Sequence, residues 1–171
     1  MNYFELFDIP VQLQVNKKEL YLRYIALSKQ YHPDYHTQAG AEGQAKALEM
    51  SALLNKAWKT FQQPDEVIKY VLQEKGLLEE EEKYDMPPDF LMEVLEINDQ
   101  LMELEDDDAA AKAGIQSSLN ILQNDIYEPV KKIVESYQEG VASKEELLQV
   151  KAYYYKKKYL DRISRQLTGI Q

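Results

Sequence analysis

The sequence contains no cysteine. That excludes disulfides, thiol catalysis, Cys-ligated zinc and any iron–sulfur cluster held by the chain's own thiolates. Histidine is scarce: 2 residues in 171, which sit close together as His32 and His36. Glycine and proline are few, 6 of each, and little of the chain reads as strand, so the expected fold class is all-α. No apolar run approaches the roughly 20 residues that a membrane-spanning helix needs. The opening MNYFELFDIP carries two acids, no arginine and no signal-type apolar core. It reads as neither a signal nor a transit peptide, and a cytoplasmic location is expected.

What is present is unevenly distributed. The net charge is −10, yet residues 1–75 balance 9 basic against 9 acidic side chains. Residues 79–108 hold 14 acids and one lysine, whereas residues 109–171 carry 10 bases and 7 acids. The acidic block would repel phosphates, which argues against nucleic-acid binding there. By itself such a run is most simply a solvated face or linker.

Helix signals order the chain. A short helix is expected over 2–8, stopped by Ile9-Pro10. Asn16-Lys-Lys-Glu19 has the pattern of a capping box and opens a second helix, whose Leu20, Tyr24, Leu27 and Tyr31 form one stripe. Lys18 and Lys29 lie on its opposite side, with Arg23 on a flank. Pro33 ends it, because the residue before a proline is pushed out of the α region. A third helix, about 41–62, carries Ala47, Met50, Leu54, Ala57 and Phe61 as its apolar stripe, with Trp58 at the edge. The pair reads as an antiparallel helical hairpin. Pro64-Asp65 restarts the chain into a short helix ending near Gly76, a suitable C′ residue.

The segment LLEEEEKYDMPP, 77–88, combines a charge run with two prolines and is the expected boundary. It separates a domain at 1–76 from one at 89–171. The second reads as an antiparallel three-helix bundle: about 89–105, about 107–138 with a kink near Pro129, and a helix opened by the Ser143-Lys-Glu-Glu146 capping box and running to about Thr168. In its first helix Phe90, Val94, Ile97, Leu101 and Leu104 form the seam. Leu91, Leu95 and Met102 fall round the side, and Met92 lies among Glu96, Asp99 and Glu103. This second, mixed apolar and acidic patch is either a broad buried face or a partner surface. Tyr153-Tyr-Tyr-Lys-Lys-Lys158 spreads over all faces of a helix, which favours core packing with a lysine edge over base stacking.

His-Pro-Asp at 32–34 admits several chemistries. A metal site needs His32 and His36 on one continuous helical face and a third ligand. Pro33 breaks the helix, and the sequence has no third histidine and no cysteine. A His32–Asp34 dyad would need a nucleophile, and none is marked nearby. A plain turn with surface histidines is the simplest reading for an isolated tripeptide. Its context differs: a basic-sided helix precedes it and an amphipathic helix follows, carrying Asn55-Lys-Ala-Trp58.

In this context residues 1–75 resemble a J-domain, the DnaJ-type module that stimulates ATP-driven chaperones of the DnaK class. The whole chain resembles the HscB family of J-proteins, which serve iron–sulfur cluster assembly. The resemblance rests on NYFELFDIP, LRYIALSKQYHPD, NKAWKTFQQP, FLMEVLEINDQL and YLDRISRQ. It implies that His32, Pro33 and Asp34, with Lys18, Arg23 and Lys29, dock on the chaperone. It also implies that Leu91, Met92, Leu95, Glu96, Asp99, Glu103 and Tyr159 bind an IscU-type scaffold. Tyr35 stands where many J-domains place a basic residue. Tyr159 stands where the family places another aromatic.

The expected protein is therefore a co-chaperone and not an enzyme. It has no resident cofactor or metal and no nucleic-acid or membrane partner. Its partners would be an HscA-type chaperone and the scaffold, and it would be a monomer. The alternatives are a J-domain adaptor for another client, or a metal-dependent hydrolase using His32, His36 and Asp34.

Overall fold

The computed structural model describes residues 1–169, and among these all regular structure is helical. The expected end of the second domain at 171 lies outside the described residues. Eight α-helices occur in the order α1 Tyr3–Leu6, α2 Lys17–Tyr31, α3 Gly40–Phe61, α4 Pro64–Glu74, α5 Pro88–Met102, α6 Ala109–Tyr127, α7 Lys131–Ser136 and α8 Lys144–Thr168. Short 3-10 turns cover Pro33–His36 and Glu128–Val130.

The chain forms two compact units. One comprises Met1–Lys75 and Val134–Ala142; the other comprises Gly76–Ile133 and the chain from Ser143 onward. In the first, α1 opens on a reciprocal capping box between Asn2 and Glu5. It delivers Phe4 and Phe7 to Phe61 of α3, with ring centroids 5.3 and 5.1 Å apart. The Tyr70 hydroxyl accepts the Tyr3 N–H at 3.0 Å. Burial outweighs that bond and pushes the Tyr70 pKa up to about 12.

Helix α2 starts at Asn16, whose side-chain oxygen accepts the N–H groups of Lys18 and Glu19. Glu19 does not close the expected box; it turns to Arg23 at 3.4 Å. The stripe of α2 faces α3. Tyr24 stacks on Trp58 at 4.5 Å, and its hydroxyl donates to Asn55 Oδ1 at 3.3 Å. Helix α4 begins with Pro64 at a position where a missing N–H is harmless, buries Val67, Ile68, Val71 and Leu72, and ends before Gly76 at φ +71°. Segment 134–142 contributes buried Val134 and Glu139, which pairs with Lys75 and accepts the Tyr137 hydroxyl.

The core of the second unit is built from Phe90, Val94 and Ile97 of α5, Ile115, Leu119 and Leu122 of α6, and Leu160 and Ile163 of α8. Asp108 caps α6 by accepting the Ala111 N–H at 3.0 Å. The long helix expected over 107–138 is interrupted by the 3-10 turn around Pro129, which cannot donate to the ladder and crowds the preceding turn. The Ser143–Glu146 capping box of α8 is complete on both sides. Tyr153 and Tyr154 are buried and Lys158 is exposed, so the tyrosine run packs inward with a lysine edge.

Two expectations change. Residues 77–88 form a linker that is solvated only in part: Glu79, Glu80 and Glu81 are exposed as expected, but Leu78 is buried, Tyr84 stacks on Tyr155 at 4.5 Å, and Glu82 pairs with Lys151 at 2.6 Å. That hydrogen bond holds the Glu82 carboxyl below its usual pKa. The segment is thus a strap bound along α8. The second change concerns 134–142, expected within 89–171 but grouped with the first unit through Val134 and the Lys75–Glu139 pair.

Candidate functional site

Two exposed surfaces carry the expected site residues. The first is the tip of the α2–α3 hairpin. His32 leaves the helix with extended backbone, φ −62° and ψ 129°, as its place before Pro33 requires. Pro33 then starts the 3-10 turn, with its fixed φ at the first position. The Asp34 N–H donates to His32 Nδ1 at 3.2 Å, and the Tyr35 N–H donates to the His32 carbonyl at 3.0 Å. His36 folds back, its Nε2 2.8 Å from the Gln30 carbonyl. The carbonyl can only accept, so that nitrogen carries the proton.

The turn is shaped by its own backbone, and the Asp34 carboxylate is left outward in solvent. Both histidines already use a ring nitrogen locally. Among the described residues no group of three or more His, Cys, Asp or Glu is placed to hold a metal ion. The hydrolase alternative therefore lacks a donor set.

Lys18 and Lys29 are exposed on α2, as expected of a basic docking face. Arg23 is placed differently. Its Nη1 donates to the carbonyls of Phe7 and Asp8 at 3.0 and 3.1 Å, and its Nη2 meets Glu19. It closes the end of α1, where Asp8 sits at φ +54°, so its first task is structural. Sequence reasoning missed Leu22 and Ile25, which lie exposed between Lys18 and Lys29; Tyr35 is exposed in the turn, against His32. The spacing 18, 22, 25, 29 is one helical stripe and could have shown this.

The second surface is the outer face of α5. Phe90, Val94 and Ile97 point into the core, and Leu101 and Leu104 pack at its edge. Met92 is 70% and Leu95 53% exposed, and Leu91 and Met102 are exposed as well. Of the two possibilities left by the sequence, a broad buried face is thereby removed. Glu96, Asp99 and Glu103 are exposed among these side chains. Asp99 lies in the last turn of α5, which contains no base, so its charge opposes the helix dipole. Stability alone does not account for it.

Tyr159 of α8 is half-buried. Its ring meets Phe90 edge-on at 5.9 Å, and its hydroxyl accepts from Asn98 Nδ2 at 3.4 Å. It packs against the core of the second unit, with the Arg162 guanidinium over its ring at 5.9 Å.

Comparison with known proteins concerns the fold that carries these two surfaces. The family model for the HscB C-terminal oligomerisation domain matches residues 86–168. The crystal structure of the human co-chaperone HscB is similar over 98% of this chain and 81% of that one, at 27% identity and a TM-score of 0.78. The chaperone HscB from Vibrio cholerae is similar over 98% and 99%, at 27% identity and a TM-score of 0.64.

A hairpin presenting His-Pro-Asp and a second helical unit are the arrangement of the HscB co-chaperones to which this chain is similar. Its residues 86–168 resemble the C-terminal domain of that family. No helix among the described residues is long and apolar enough to cross a membrane.

Proposed function

We propose that this protein binds an IscU-type iron–sulfur scaffold, delivers it to an HscA-type chaperone of the DnaK class, and stimulates that chaperone's ATPase. The observation that carries this reading is the His32-Pro33-Asp34 turn. It stands exposed and internally braced at the hairpin tip, at the end of a helix on which Lys29, close by, and Lys18, at the far end, are exposed. Pro33 and the His32–Asp34 bond fix the loop before docking, so little conformational entropy is lost on binding. Asp34 offers a solvent-exposed carboxylate to a partner guanidinium. The lysines attract an acidic chaperone surface and speed encounter.

The scaffold is taken by Leu91, Met92 and Leu95 as adaptable apolar contacts, with Glu96, Asp99 and Glu103 selecting a basic surface. Tyr159 contributes to the same contact. The cluster is cargo of the scaffold, consistent with a chain that has no cysteine. In this reading the protein works in the cytoplasm as an adaptor, without cofactor and without catalysing a reaction itself.

Steady-state ATP turnover by the cognate chaperone tests this, with no addition, with this protein, with the scaffold, and with both. Stimulation by this protein, larger with scaffold present, is expected. Stimulation indifferent to the scaffold would remove the client, and no stimulation would remove the docking role of the turn.

A further inference from the structure

The outer face of α5 does not end at α5. Between α5 and α6 lies a groove in two joined parts, of about 540 and 360 Å³. Gln100 and Ser118 line both parts and mark the junction. The α5 wall includes Glu96 and Glu103, already placed in the scaffold face, so the two surfaces are continuous. The floor is apolar, made by Ile97 and Leu122 in one part and Leu104 and Ile115 in the other. On the far wall Ile121 is 60% exposed although it belongs to an otherwise well-packed helix. Beside it, the α6 row Ala111, Gly114, Ser118 is small, and a Cβ built on Gly114 would meet nothing within 4 Å. A partner backbone can approach closely there.

The charge on the rim has one sign. Glu93, Glu96 and Asp125 border one part, Glu103 and Asp108 the other, and among the described residues no lysine or arginine lines either. An apolar floor between carboxylates fits a segment with apolar teeth and basic flanks.

We infer that the scaffold-docking face extends across this groove onto α6. A basic amphipathic segment of the scaffold would lie in it, with Ile121 as an anchor and Asp125 as a charge contact. The inference rests on the proposed scaffold role of α5 and assigns the second wall of the site.

Calorimetric titration of the full-length protein with purified scaffold tests it, using wild type, Ile121→Ser, Asp125→Asn and the α5 variant Met92→Ala/Leu95→Ala. Both α6 positions are exposed, and thermal melts check that each variant is folded. Ile121→Ser should weaken binding about tenfold, as loss of an interface anchor does. Asp125→Asn should weaken it roughly threefold and flatten its salt dependence, as loss of a rim charge does. If only the α5 variant loses affinity, the groove is not part of the site and the α5 reading stands. If wild type does not bind scaffold, both fall. If sedimentation shows a dimer that Ile121→Ser dissociates while scaffold affinity is unchanged, the groove is filled by a second copy and the inference is overturned.

Discussion

His32 to Tyr35 hold their shape through the backbone. A proline fixes φ, two N–H groups return to His32, and the Asp34 carboxylate, 3.6 Å from His32 Nδ1, faces solvent. The outer face of α5 is the opposite case. Its backbone is an ordinary helix, and its character lies wholly in which side chains occupy the positions that the core seam leaves over. The first surface recognises by a fixed local geometry, the second by area and charge. The turn should therefore fail all at once when one atom changes, while the helix face should weaken in steps.

The largest effect is expected at the turn. Asp34→Asn keeps the volume and the 3-10 turn but removes the charge. It should lower ATPase stimulation at least about tenfold, the scale of losing one partner of a docked charge pair. Scaffold affinity in calorimetry should be unchanged; a parallel loss there would erase the distinction between the surfaces.

Next is the graded response of α5. Met92→Ala and Leu95→Ala should each weaken scaffold binding by about 1 kcal/mol, with the melting temperature kept because both are exposed; as i, i+3 neighbours they should couple in the double variant. Undiminished affinity in the folded double variant would discard the face. Arg23→Gln sharpens the contrast. It should lower the stability of the first unit by about 1 kcal/mol through loss of the Phe7 and Asp8 carbonyl contacts. If stimulation falls with stability unaltered, Arg23 is a docking residue after all.

The smallest effect is expected at the strap. Glu82→Gln should cost the second unit about 0.5 kcal/mol at neutral pH, a value discounted for partial exposure. Because the Lys151 contact lowers the Glu82 pKa in the folded state, its contribution is present above the ordinary carboxylate range. It disappears as pH falls through the folded value. The stability difference between wild type and variant should thus vanish in acid, which melts at several pH values would show.

The sequence was most informative where a feature is local. Asn16 and Ser143 mark helix starts, Pro33 and Pro129 mark breaks, and Gly76 and Gly169 mark ends, because each acts on its own backbone. The α5 seam was readable from spacing, and with it the leftover face. Partners distant in the chain were hidden. Nothing in LLEEEEKY announces Lys151 and Tyr155, about seventy residues on. A glutamate run has the same composition whether it is solvated or strapped down. Arg23 looked like one more cation on a basic helix, since the two carbonyls that hold it belong to backbone. Segment 134–142 carries no composition shift, so its grouping with the first unit was not readable.

The chain holds 13 tyrosines but a single tryptophan, and Trp58 is stacked on Tyr24 in the first unit. Its emission is therefore a built-in optical label for that unit alone, quenched or shifted when α2 and α3 part. The tyrosines are spread over both units, so the tryptophan alone tells them apart. A denaturant titration read at its emission follows the first unit without any added dye.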